Sequence, residues 1–177
     1  MPIETSQTVT NGFSGELTAR EAQDYADQLK RKAATDLGMM LFAYGELERD
    51  LSLCVVWMNE GAGLEVLTRE IVDFSMDKKI EVLRRLVKQN LSYKPEIQRG
   101  FEDWIGRIDG IRMMRNRLAH GRWWFDPHSG EIVNISGIPT SPKQNEERYA
   151  EEGIEIFVKK IRSLQKDLQK LRRLDAD

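Results

Sequence analysis

The stretch that decides the fold is DLGMMLFAYGELERDLSLCVVWM, residues 36–58. Its apolar side chains recur at steps of three and four residues, which is the spacing that places them along one side of an α-helix. The members of this stripe are Leu37, Met40, Leu41, Tyr44, Leu47, Leu51, Val55 and Met58. The pattern predicts a long helix with one buried face, ended by Asn59, Gly61 and Gly63.

Capping residues predict where several helices begin. Thr18 and Glu21 have the spacing of a capping box, in which each side chain accepts a hydrogen bond from the backbone of the other residue. Ser75 is suited to cap a helix over residues 77–90. Pro95 is suited to the first turn of another helix, because a proline there gives up no intrahelical hydrogen bond. We therefore expect helices on both sides of the central stripe.

The pattern changes after Gly121, the glycine predicted to end the helix that begins at Pro95. The segments RWWFD and EIVNIS are short, aromatic and β-branched, and the residues between them favour a turn. They predict a small β-hairpin at about residues 122–136. A loop follows, and periodic apolar residues then predict a long C-terminal helix from about Glu146.

Together these elements predict an all-α fold, a bundle of four or more main helices with a small β-hairpin insert before the last one. Residues 1–17 are polar and rich in Gly, Ser and Thr, and are interpreted as a loose N-terminal arm. The remainder, residues 18–177, has the length of one domain with a single core.

Composition excludes several classes of protein. The net charge of -2 gives no indication of nucleic-acid or membrane binding, so such a partner has to be argued from a local patch. The only cysteine, Cys54, excludes an intrachain disulfide and lies in an apolar run typical of a buried thiol. We find neither a signal peptide nor an apolar run of the roughly 20 residues that span a bilayer. We expect a cytoplasmic protein without a membrane partner.

The most polar motif of the chain is MRNRLAHG, residues 114–121. The apolar stripe of its helix runs through Trp104 and Ile111, and Arg115 falls at the next stripe position, where a charge is unfavourable unless it is paired or faces a groove. Asn116 and His120 are four residues apart, so they share one helical face.

Local charge around this motif favours a polyanionic partner. Between residues 107 and 122, five arginines stand against a single aspartate, which leaves a local charge of +4. Arginines beside aromatic side chains are typical of sites for single-stranded nucleic acid. The candidate RNA-binding residues are Arg112, Arg117, Arg122, Trp123 and Trp124. A purely structural explanation also stays open for each residue type. The arginines can be placed there because cations are favourable near a helix C-terminus, and the tryptophans because side chains of a hairpin often cover a core.

Other kinds of site are absent from the sequence. There is no set of His, Cys and Asp with metal-ligand spacing, no phosphate-binding loop and no dinucleotide fingerprint, so we predict no metal and no cofactor. The second histidine, His128, lies in a turn and is not a candidate.

Arg115, Asn116 and His120 have the form R-N-x-x-x-H, near the end of a helix in a helical bundle. This motif in this position resembles the HEPN superfamily, which includes toxin, abortive-infection and RNA-processing proteins. The resemblance would cover roughly residues 36–171, and the hairpin and the N-terminal arm look like local elaborations.

What the resemblance implies is a metal-independent endoribonuclease that cuts single-stranded RNA. Its catalytic pair would be Arg115 and His120, with Asn116 as the accessory polar residue. It would act as a homodimer in which two copies of the motif line one cleft. A role as a toxin or phage-defence component, with an antitoxin or other protein as partner, is implied as well.

Two alternatives remain open. The chain can be a non-catalytic helical bundle that binds a protein or a nucleotide, with the motif as a polar cluster in the interface. The basic stretch can also bind duplex DNA, which predicts an affinity that falls as salt is raised.

Overall fold

The computed structural model describes residues 17–176, which are mostly helical with one small antiparallel sheet. The helices are α1 (Ala19–Trp57), α2 (Leu64–Ile71), α3 (Met76–Asn90), α4 (Pro95–His120) and α5 (Gly153–Ala176), with a 3-10 turn at Asn59–Gly61. The strands are β1 (Arg122–Asp126), β2 (Glu131–Ser136) and β3 (Asn145–Tyr149). The prediction of a mainly helical fold is confirmed. The predicted arm, residues 1–17, lies outside the described residues except for Leu17.

The predicted caps are present at the helix starts. The Thr18 hydroxyl accepts a hydrogen bond from the backbone N–H of Glu21, and the Glu21 carboxylate accepts one from the backbone N–H of Thr18 at 2.9 Å. The Ser75 hydroxyl accepts a hydrogen bond from the backbone N–H of Lys78 at 3.3 Å. Pro95 occupies the first turn of α4. The cap hydrogen bonds explain why α1 and α3 begin where they do, whereas α4 begins at a proline without a side-chain cap.

The main core lies among α1, α3, α4 and α5. Helix α5 packs along α1 and α4, and α3 packs against the same two helices. Trp104 is fully buried, and its indole N–H donates a hydrogen bond to the Leu164 carbonyl at 2.8 Å. Leu41 is exposed, contrary to its place in the predicted stripe. Neighbouring helical residues point about 100° apart. Because the preceding residue, Met40, points into the core, Leu41 points towards solvent.

The insert is a three-stranded sheet and not a hairpin. The strands run in the order β1-β2-β3, and both pairs are antiparallel. The prediction of a helix from about Glu146 is wrong, because Asn145–Tyr149 forms β3 and α5 begins only at Gly153. Pairing with the backbone of β2 outweighs the helical preference of this Glu-rich segment.

The sheet packs against the N-terminal half of α1 through a second, smaller core. The buried members of this core are Leu29, Ala33, Ile132 and Ile154. Successive side chains of a strand point to opposite faces of the sheet, and Trp123 and Phe125 share the inner face with Ile132. Trp123 contacts both cores and so joins the sheet to the bundle.

Within residues 17–176, no helix combines the length and the apolar character that a bilayer crossing requires.

Candidate functional site

Helix α4 ends against the sheet at Gly121, and close packing decides the residue there. Gly121 has φ −73° and ψ 158°, an extended conformation that any residue can adopt, and not the left-handed one of many helix-ending glycines. A Cβ atom on Gly121 would lie 2.5 Å from Cγ and Oδ1 of Asn134, and closer still to its Nδ2. Asn134 is buried in β2, and its Nδ2 has no hydrogen-bond partner among the described residues. Gly121 therefore lets the end of α4 lie directly on the buried amide.

The last two turns of α4 form one wall of an open groove of about 480 Å³. Asn116 and His120 lie side by side on this wall, which confirms that they share one helical face. Ser136 and Gly137, at the end of β2, form the opposite wall. Both Asn116 and His120 are exposed, so a ligand in the groove could reach them directly.

Arg115 lies behind this wall and does not line the groove. Its guanidinium carbon lies 5.2 Å from the centre of the Tyr44 ring, a cation–π contact. Its Nη1 donates a hydrogen bond to Oδ1 of Asn116 at 3.0 Å. Its Nε is buried and has no hydrogen-bond partner among the described residues. The aromatic ring explains how an arginine occupies the stripe, and Asn116 links it to the groove.

Tyr44 is the first residue of the site that the sequence analysis missed. It is buried in α1, and burial raises the pKa of its hydroxyl to about 12, although the nearby Arg115 acts in the opposite direction. The ring is therefore neutral under physiological conditions and acts as a flat support for the guanidinium. Its place in the α1 stripe gave no signal of this role, because any large apolar residue fits the same pattern.

Several of the clustered arginines are paired with carboxylates, some on the same helix and some from distant parts of the chain. The pairs are Arg107 with Asp103 and Asp167, Arg112 with Asp77 and Asp109, and Arg117 with Glu147. Among the described residues, Arg115 and Arg122 have no carboxylate within ion-pair distance. The local charge of +4 along the sequence is therefore largely compensated in the folded protein.

Glu147 is the second missed residue. Its carboxylate pairs with Arg117, which lines the groove, and accepts a hydrogen bond from the Tyr149 hydroxyl. The Nδ2 of Asn145 donates to the same carboxylate at 3.3 Å. These contacts hold the Arg117 side chain against β3. No sequence signal could reveal them, because β3 itself was not predicted.

The two hairpin tryptophans point in opposite directions. Trp123 is half-buried and packs against the core, which agrees with the structural explanation that hairpin tryptophans cover a core. Trp124 lies on the outer face of the sheet and is 63% exposed. Arg122 lies on the same outer face, where its Nη2 donates to Oε1 of Gln144 at 3.2 Å and approaches the Gly137 carbonyl at 3.5 Å.

The α4 wall of the groove offers an imidazole, a carboxamide and a partly neutralised guanidinium, and Ser136 on the opposite wall adds a hydroxyl. A search of the described part of the chain finds no group of three or more His, Cys, Asp or Glu side chains placed to hold a metal ion. None of the protein-family models, curated proteins or solved structures compared with this chain matches it.

Proposed function

We propose that this protein is a metal-independent endoribonuclease of the HEPN type, which cuts single-stranded RNA as a homodimer. The observation that carries the proposal is the arrangement of the R-N-x-x-x-H motif. Asn116 and His120 line an open groove, and Arg115 contacts Asn116 from behind with no carboxylate to neutralise it. The same resemblance favours a role as a toxin or phage-defence component, with an antitoxin or another protein as partner, and we expect this role in the cytoplasm.

His120 would transfer protons in the reaction. The ribose 2′-hydroxyl attacks the adjacent phosphorus and loses its proton to a base, while the P–O5′ bond breaks and the leaving 5′-oxygen takes a proton from an acid. Histidine can fill either role near neutral pH. The products are a 2′,3′-cyclic phosphate and a 5′-hydroxyl. DNA lacks the attacking hydroxyl and would not be cut.

Arg115 would stabilise negative charge on the phosphoryl oxygens, because a guanidinium is permanently ionised and can donate two parallel hydrogen bonds. Its guanidinium lies behind Asn116 and does not line the groove, so the proposed contact with a phosphate requires the side chain to turn past the Asn116 amide. A second copy of α4 across a twofold axis would add another imidazole and another guanidinium. A homodimer therefore supplies the separate acid and base that one groove, with only His120, does not.

The five candidate RNA-binding residues are not equally able to contact RNA in the folded protein. Arg112 and Arg117 are held by carboxylates and contribute less to phosphate binding than their charge suggests. Trp123 is half-buried, so its ring has little free surface for a base. Arg122, which has no carboxylate partner among the described residues, and Trp124, whose ring is exposed, remain available for RNA outside the groove.

The proposal is tested by incubating the purified protein with a fluorescently labelled single-stranded RNA in EDTA. We expect cleavage to 2′,3′-cyclic phosphate ends, and loss of cleavage in Arg115→Ala and in His120→Ala. Matched controls are His128→Ala, which removes the exposed histidine of the β1–β2 turn, and Arg20→Ala, whose side chain is almost fully exposed on α1. Both controls should cleave like the wild-type protein.

The mechanism, the composite site of the dimer and the role of the 2′-hydroxyl can each be tested separately. Full activity of a folded His120→Ala protein would contradict the mechanism. A protein that sediments as a monomer at micromolar concentration and still cleaves would contradict the composite site. An RNA with a single 2′-deoxy nucleotide at the cut position should remain intact at that position.

The second candidate function is a non-catalytic module that binds a protein or a nucleotide. The observation that favours it is the pairing of Arg112 and Arg117 with Asp77 and Glu147, which leaves the groove with little excess positive charge. This function predicts no cleavage of RNA under any condition and a partner recovered in stable complex. Cleavage by the purified protein alone would count against it.

A further inference from the structure

The outer face of the sheet carries an aromatic side chain that the groove does not use. Trp124 is directly opposite Val133 of β2, and Val133 is in turn opposite Arg148 of β3. Val133 is only 2% exposed, although it points away from both cores. Cross-strand neighbours are the side chains close enough to cover it. Trp124 is 63% exposed, so an indole that covers Val133 with one face would keep its other face open to solvent.

This aromatic surface is held rigidly. Trp124 lies in the middle of β1, with backbone pairing to β2 on both sides of it. Arg148, on the far side of Val133, is fixed by Glu131 at 2.9 Å and by Glu146 at 2.7 Å. A ring positioned by strand pairing needs little ordering when a planar group stacks on it.

Arg122 connects this surface with the groove. It lies two residues before Trp124 on the same face, which corresponds to about 7 Å along a strand. Its guanidinium reaches towards the carbonyl of Gly137, the residue that closes the groove on the sheet side. Arg148 is neutralised by its carboxylates, whereas no described carboxylate pairs with Arg122. The uncompensated cation of this face therefore lies on the side nearest the groove.

We propose that the outer face is a second nucleotide subsite of the same RNA strand. A base stacks on Trp124, and Arg122 contacts a phosphate between that base and the groove, so that the strand passes over Gly137 onto the sheet. Stacking on an aromatic ring accepts any base, but it requires that the base is unpaired. This proposal rests on the proposed function and adds to it a preference for single strands longer than the segment being cut.

The size of the surface favours a base over a protein partner. One exposed tryptophan provides about 150–250 Å² of contact area, well below the roughly 800 Å² that each partner contributes to a stable protein interface. Glu146 lies in the cross-strand row of Arg122, across Ile135, and is paired with Arg148. Asp126 and Glu131 form the row on the other side of Trp124, away from Arg122. They leave the Arg122 side as the approach for a polyanion.

Kinetics on two substrates test the subsite. We compare a single-stranded hexanucleotide and a dinucleotide RNA for the wild type, Trp124→Ala, Trp124→Phe and, as a matched control, Trp57→Ala, whose ring is 52% exposed on α1. Loss of one stacked base should raise KM for the hexanucleotide about tenfold. The kcat and the cleavage of the dinucleotide should not change. Trp124→Phe should keep most of the affinity, and Trp57→Ala should behave like the wild type.

A binding measurement separates this proposal from the proposed function. Oligouridylate should quench tryptophan fluorescence in the wild-type protein and in Trp57→Phe, but not in Trp124→Phe, whether or not the RNA is cut. Arg122→Gln should lower the salt dependence of binding by about 0.7 in log K per log salt, the contribution of one phosphate contact.

Three results would overturn the subsite. Cleavage with an unchanged KM in Trp124→Ala would remove it and leave the proposed function intact. Quenching that persists in Trp124→Phe would do the same. A dimer that dissociates in Trp124→Ala would assign this face to the contact between copies of the chain.

Discussion

Replacement of Gly121 by alanine tests the packing that ends α4. Alanine adopts the φ of −73° at this position without strain, so the substitution changes only the space occupied. The added Cβ would lie 2.5 Å from Cγ and Oδ1 of Asn134, whereas ordinary carbon contacts are about 3.5–4.0 Å. Asn134 is buried on the central strand, between Trp123 and Glu147, and has little room to move away.

The expected loss of stability is the difference between two effects. Overpacking of a buried site costs typically about 1–3 kcal/mol. Alanine also restricts the unfolded chain, which stabilises the protein by about 0.4–1 kcal/mol. The net free energy of unfolding should therefore fall by about 1–2 kcal/mol, which corresponds to a decrease in Tm of about 2–8 °C for a protein of this size.

Urea denaturation followed by circular dichroism measures this loss in a double-mutant cycle of Gly121→Ala and Asn134→Ala. Because Asn134→Ala removes the amide that the new Cβ meets, Gly121→Ala should cost little in that background. The matched control is Gly110→Ala on α4, where an added Cβ has no other atom within 4 Å. It should stabilise the protein by about 0.5–1 kcal/mol, the usual preference for alanine within a helix.

Two results would refute the packing argument. One is a Gly121→Ala protein as stable as Gly110→Ala. The other is an equal loss of stability with and without the Asn134 amide, since the coupling energy between the two positions would then be zero.

Acid stability and the aromatic support of the motif give two further predictions. Burial raises the pKa of Asp50, but hydrogen bonds from Gln165 and Gln169 at 2.9 Å, together with the paired Arg49 at 3.3 Å, outweigh burial, and the pKa lies below its ordinary value of 3.8. A carboxyl group with a lowered pKa stabilises the fold at pH values above its unfolded-state pKa, and this stabilisation is lost as the pH falls through the folded-state pKa. Asp50→Asn should therefore make the decline of Tm below about pH 4 less steep. Tyr44→Ala should lower the rate of RNA cleavage about tenfold, because a cation–π contact is worth about 1–2 kcal/mol. Tyr44→Phe keeps the ring and should retain activity. Equal rates in the two variants would show that the ring does not position Arg115.

Features encoded by neighbouring residues could be predicted from the sequence. The capping box of Thr18 and Glu21 and the cap at Ser75 are completed within a single helical turn, so their sequence spacing contains the whole interaction. The alignment of Asn116 with His120 is also local, because helical geometry alone brings residues four apart together. These parts of the fold and of the site needed no tertiary information.

Features that depend on distant residues could not be predicted. The sequence of β3, NEERY, has no alternation of apolar and polar residues, and its strand conformation comes from pairing with β2. The partners of Arg112 and Arg117, which are Asp77 and Glu147, lie about thirty or more positions away along the chain. A count of charges along the motif therefore overestimated the positive charge of the folded site.

The two walls of the groove are anchored in different hydrophobic cores, and this affects its motion. The α4 wall is anchored by Leu118 in the main core, while the opposite wall continues a strand anchored by Ile132 in the much smaller second core. Regions with fewer buried contacts open with a lower free energy. The backbone amides of β2 should therefore exchange with deuterium before those of α4. The groove should widen when the sheet opens locally, because one of its walls continues β2. A ligand that contacts both walls would link these two cooperative units and slow exchange in β2.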